Sequence, residues 1–145
     1  MLAAMRKNIA VLVAAAALLT PSAQATDFVA KSNLTGFQLP AGALELTDDD
    51  FSDEMVELLE DVAAGMNGTC QYHELLYWKG NPVALGRALS AKIPASFKYR
   101  SLDLGETDDG TCEQFALTSP QVWYAGVWID SPRDVILSWC SVVRK

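Results

Sequence analysis

The stretch FKYRSLDLGETDDGTCEQFALTSPQVWYAGVWIDSPRDVILSWCSVV, Phe97 to Val143, decides the fold. Gly105 to Gly110, Ser119-Pro120-Gln121 and Asp130-Ser131-Pro132 divide it into four runs rich in aromatic and β-branched residues: Phe97–Leu104, Cys112–Thr118, Val122–Ile129 and Val135–Val143. Such residues suit a pleated surface, and the intervening Gly, Pro, Asp and Ser supply turns, so the pattern predicts consecutive antiparallel strands. Short connections between successive strands make neighbours in sequence neighbours in the sheet.

Upstream, Cys70 to Lys79 reads as another strand. By period two, Cys70, Tyr72, Leu76 and Trp78 share one face with Glu74 interrupting them, and Gln71, His73, Leu75, Tyr77 and Lys79 share the other. Gly80-Asn81-Pro82 then gives a turn, an Asn cap and a proline in the first helical position, predicting a helix over Pro82–Lys92 that Pro94 limits. Before the strand, Phe51, Met55, Leu58, Leu59 and Val62 recur at helical spacing behind Thr47 and Asp50, predicting an amphipathic helix from about Asp48 to Ala64. Thr26 to Ala43 shows no sustained periodicity and suggests at most a short strand near Phe28–Ala30. The expected class is α+β: a four- or five-stranded, mainly antiparallel sheet packed against one or two helices.

Residues 1–25 have the pattern of an export signal. Arg6 and Lys7 precede the uncharged apolar run Ile9–Leu19, and Ala23-Gln24-Ala25 supplies the small-x-small motif a signal peptidase accepts. The apolar run is about half the ~20 residues needed to span a bilayer, so no stable membrane insertion is expected. Residues 26–145 then form a single small globular domain, secreted or periplasmic.

The whole chain carries a formal charge of −7 from 11 basic and 18 acidic residues. Without Arg6 and Lys7, 9 basic side chains face the same 18 acids, a charge of −9. That balance repels phosphate backbones and argues against nucleic acid as a partner. Nine carboxylates between Glu45 and Asp61, with no basic residue among them, make the first helix strongly acidic. Its polar face reads as a solvated surface or as a docking face for a basic protein. Lys79, Arg87, Lys92, Lys98 and Arg100 occupy the middle of the chain, where they either offset that acidity or edge an aromatic surface.

Cys70, Cys112 and Cys140 are an odd set, allowing one internal disulfide and leaving one sulfur for other uses, including a dimer link. The leading expectation pairs Cys112 with Cys140, with Cys70–Cys112 and Cys70–Cys140 as alternatives. His73, the single histidine, lies three residues after Cys70, so the composition of a Cys3His zinc site is present. Residues i and i+3 point to opposite faces of a regular strand, however, and the expectation is that no metal and no cofactor is held. The same residues suggest a cysteine nucleophile with His73 as base, or Glu74 in a carboxylate pair, without a local motif for either.

Trp78, Trp123, Trp128 and Trp139 supply core or binding surface. Tyr124 and Trp128 share a strand face and are the expected ligand or interface anchors. The leading functional expectation is therefore an exported, noncatalytic binding protein for a basic or apolar protein surface or a small apolar ligand. The alternatives are a small exported hydrolase using a Cys/His or carboxylate site, and a structural envelope component.

Overall fold

A computed structural model describes residues 28–145. The proposed signal segment lies outside the described residues. The elements run in the order β1 (Leu44–Leu46), α1 (Asp53–Gly65), β2 (Gly68–Lys79), α2 (Pro82–Lys92), β3 (Lys98–Glu106), β4 (Thr111–Thr118), β5 (Trp123–Ser131) and β6 (Asp134–Arg144). The strands form one antiparallel sheet in the order β1-β2-β6-β5-β4-β3. The expected meander is thus β3 to β6, and β2 joins its far side against β6. The sheet has six strands, because the three-residue β1, too short for a periodic signal, pairs with β2 through Leu44–Tyr77 and Leu46–Leu75.

Helix α1 starts later than its stripe predicts. Thr47 donates from its backbone N–H and its hydroxyl to the Asp50 carboxylate, closing a single 3₁₀ turn over Asp48–Asp50. Ser52 then caps α1 by accepting from the Met55 N–H at 3.2 Å. Helix α2 has the predicted bounds: Asn81 Oδ1 accepts from the Ala84 N–H at 2.9 Å, Pro82 occupies the first turn, and Ile93-Pro94 ends it.

The two helices lie on opposite faces of the sheet. Leu59, Val62 and Ala63 of α1, with Met66, pack on Ala116, Ala125, Val127, Cys140 and Val142. On the other face, Leu89 of α2 joins Leu76, Trp78, Phe115, Leu117, Tyr124, Leu137 and Trp139. This second layer is completed by Phe37, Leu39 and Ala43, from the segment whose sequence shows no periodicity. Tertiary bonds fix that segment. The Trp78 indole donates to the Pro40 carbonyl at 3.0 Å, and the buried Glu74 carboxylate accepts from Ser32 Oγ, the Asn33 N–H and Trp139 Nε1. Burying a carboxylate is tolerable when its lone pairs are met in this way. Glu74, raised above as a catalytic acid, is therefore a structural clamp.

No described helix is long and apolar enough to cross a membrane.

Candidate functional site

An open groove of about 560 Å³ runs between α2 and strands β3 to β5. Its floor is aromatic for a reason legible in the backbone. A Cβ on Gly126 would lie 2.2 Å from Phe115 Cζ, so the missing side chain lets the Phe115 ring lie across β5. Tyr99 meets Phe115 edge to face, with ring centroids 5.5 Å apart, and its hydroxyl donates to Glu113. Burial, followed by that hydrogen bond, pushes the Tyr99 phenol up from its usual range, which keeps the donor protonated. Trp128 Nε1 donates to Asp130 Oδ2 at 3.2 Å, and Asp130 is itself fixed by the Thr111 N–H and hydroxyl. Opposite the Trp128 ring stands Gly86 of α2, whose absent Cβ would be 3.7 Å from Trp128 Cζ2. Glycine in mid-helix costs about 1 kcal/mol relative to alanine, and a Cβ here would stand in ordinary contact with the indole.

Val83 and Tyr99 border the groove and are 65% and 51% exposed, making an apolar patch at its mouth. Arg87 is the one member of the central basic group that lines it. Lys98 and Arg100 alternate with Tyr99 on β3 and so project from the opposite face. Trp128 lines the groove. Tyr124 lies beneath it in the core, 6% exposed, stacked on Phe97 and in contact with Phe37 and Trp139.

The second candidate is a corner on the α1 face where sulfur, imidazole and carboxylate converge. Regular alternation places Cys70 and His73 on opposite faces, but β2 carries a bulge between Gln71 and His73, with Tyr72 at φ +58°. The extra residue reverses the alternation, so Cys70 and His73 face α1 together, and Glu74, Leu76 and Trp78 face α2. Glu60 reaches down from α1 and accepts from the Cys70 N–H at 3.3 Å. The ligand-competent atoms of Glu60, Cys70 and His73 all lie within 4.8 Å of one another. His73 is exposed, packs edge to face on Phe51, and borders a hollow of about 400 Å³ shared with Asn33, Leu34, Glu45, Tyr72 and Glu74.

The disulfide joins Cys70 to Cys140, with Cα atoms 5.5 Å apart, and Cys112 is a free, half-buried thiol. The Cys112–Cys140 expectation is thereby replaced. Strand β5 lies between β4 and β6, and the partner of Cys140 across β5 aligns with Ala116, four residues from Cys112. Those two thiols are separated by roughly 10 Å across the sheet and 13 Å along it, far beyond disulfide reach. Burial, and then the nearby Asp103 charge, push the Cys112 thiol pKa up, so this sulfur is protonated and weakly nucleophilic at neutral pH. With Cys70 tied in a disulfide, the corner brings the Glu60 carboxylate and the His73 imidazole close together without a thiolate nucleophile.

Comparison with protein-family models, with curated proteins and with solved structures gives no match to this chain.

Proposed function

We propose that the protein is an extracytoplasmic binding domain that takes a small, mainly apolar ligand with an anionic end into the groove beneath α2. The observation that carries this reading is the groove's aromatic floor of Tyr99, Phe115 and Trp128, with Gly126 making room for the Phe115 ring and Gly86 facing Trp128. Ligand sites are typically concave, mostly apolar and about 300–1,000 Å³, with a few polar groups fixing orientation. Arg87 at the rim is the polar group suited to a carboxylate or sulfonate. The Cys70–Cys140 disulfide fits an oxidising compartment.

The hydrolytic reading has its own specific observation, the convergence of Glu60, Cys70 and His73 beside an accessible hollow. In that reading His73 is the general base, Glu60 orients it, and water is the nucleophile.

Anilinonaphthalene sulfonate, an apolar anion, discriminates between them. The groove reading expects saturable dye binding by the folded protein, weakened more than about tenfold in Gly86→Leu, whose side chain would stand against the Trp128 ring. The same variant should be at least as thermostable as the parent, because leucine is the better helix former. Undiminished binding in a folded Gly86→Leu protein contradicts the groove reading. Absence of dye binding, combined with ester turnover that His73→Gln abolishes, supports the hydrolytic one.

A further inference from the structure

The bulge at Tyr72 places four metal-competent side chains in one corner, and the disulfide masks two of them. Cys140 is the cross-strand partner of His73 and is bonded to Cys70, whose sulfur lies within 4.8 Å of the His73 and Glu60 donor atoms. Glu60 completes the group from the helix above. We propose that reduction of Cys70–Cys140 converts this corner into a divalent-metal site in which the two thiolates, one His73 nitrogen and one Glu60 oxygen bind zinc.

Three of the four donor atoms are already gathered, and the Cys140 sulfur, one bond beyond Cys70, is the one that must swing in. Zinc bonds of about 2.0–2.3 Å in a tetrahedron separate neighbouring donor atoms by roughly 3.3–3.8 Å. The Glu60, Cys70 and His73 atoms already lie within 4.8 Å of each other, and side-chain rotation separates the two sulfurs once their bond is cut. Cys140 is fully buried and Glu60 and Cys70 are half-buried, so water competes weakly on the sheet side. The exposed side of His73 provides the entry path. Glu60 already hydrogen-bonds the Cys70 backbone, and Phe51 packs on the His73 ring, so two of the four ligands are oriented before the metal arrives.

The chemistry balances as thiol–disulfide exchange. A dithiol reductant supplies two electrons and two protons, the Cys70–Cys140 bond breaks to two thiols, and the reductant leaves as its own disulfide. Zinc then displaces the thiol protons to solvent, since the thiolate is the ligand. The reverse exchange needs a disulfide oxidant: it takes the two electrons, leaves as two thiols with protons from solvent, and releases the zinc ion as the Cys70–Cys140 bond re-forms. The site is independent of the groove and of its ligand.

The test uses full-length protein carrying Cys112→Ser, reduced with a phosphine and desalted anaerobically, then titrated with cobalt(II) and zinc(II). The expected result is one equivalent of cobalt, with the thiolate charge-transfer and visible bands of a tetrahedral site, displaced by zinc. The oxidised protein should show neither. His73→Ala and Glu60→Gln should each weaken zinc binding by more than about tenfold. Far-UV circular dichroism follows the fold throughout. If reduction loosens the protein, bound metal must restore its native spectrum, as expected when a site forms only in the folded state. Absence of the cobalt bands in the reduced protein overturns the proposal, as does binding indifferent to both His73→Ala and Glu60→Gln.

Discussion

Gly126 shows how a missing side chain builds a surface. The Phe115 ring occupies the volume a Cβ would take, with three ring carbons within 2.7 Å of that position. Gly126→Ala must therefore displace the ring, and overpacking of this kind typically costs about 1–3 kcal/mol. The expected outcome is a lower denaturation midpoint together with weaker dye binding, because the displaced ring is the groove floor. A Gly126→Ala protein of parental stability and affinity would contradict the packing described here. Glu74 is the complementary case at this scale. In the sequence it interrupts an apolar face and resembles a catalytic acid; its environment of three donors makes it the tie between β2, β6 and the Asn33 segment.

At the scale of elements, the legible parts were those with a strong local signal. Helix α2 carries its cap, its first-turn proline and its terminating Ile93-Pro94 in sequence, and the four strands of the meander are marked by their turn residues. Two features lacked such a signal. The apolar residues Phe37, Leu39 and Ala43 follow no period because single backbone bonds, to Ser32, Ala30 and Val29, and core partners more than thirty residues away position them. The bulge at Tyr72 is invisible because Tyr72 is an ordinary strand residue, 70% exposed, held at φ +58° by the pairing on either side. That single residue changed the face assignment of Cys70 and with it both the disulfide and the candidate cluster. Positive φ is costly for tyrosine and nearly free for glycine, so Tyr72→Gly should retain the disulfide and alter stability by less than about 1 kcal/mol. Deleting Tyr72 removes the extra residue and leaves Cys70 two positions before His73 in a regular strand, still opposite Val142 and on the face of Cys140. Nonreducing peptide mapping should then still find the Cys70–Cys140 link; its loss would show that this register does not set the pairing.

At the scale of the whole molecule, the Cys70–Cys140 bond closes a loop across 70 positions of sequence and ties β2 to the last strand of the meander. The chain-entropy model gives such a cross-link about 4 kcal/mol. Alkaline pH acts on a different set of groups. Cys112, Tyr77, Tyr99 and Tyr124 all have pKa values raised by burial in the folded protein. The unfolded chain loses these protons first. The stability they contribute is therefore full below the unfolded pKa of each group and declines as pH rises, first through the thiol range near ~8.5 and then through the phenol range near ~10. Thermal melts should show a midpoint that falls across this window, and Cys112→Ser should remove the earlier part of the fall. A midpoint that stays level from pH 8 to 11 would run against the burial of these side chains.

The protein's four tryptophans provide internal reporters of the groove. Trp78 and Trp139 are buried and hydrogen-bonded within the core, Trp123 lies on the α1 face beneath Arg144, and Trp128 alone lines the groove. The most direct measurement is the set of indole N–H resonances of the isotopically labelled protein during titration with anilinonaphthalene sulfonate. Selective, saturable movement of the Trp128 signal is the predicted result; a static Trp128 signal, or one that moves no more than that of Trp123, would contradict the account.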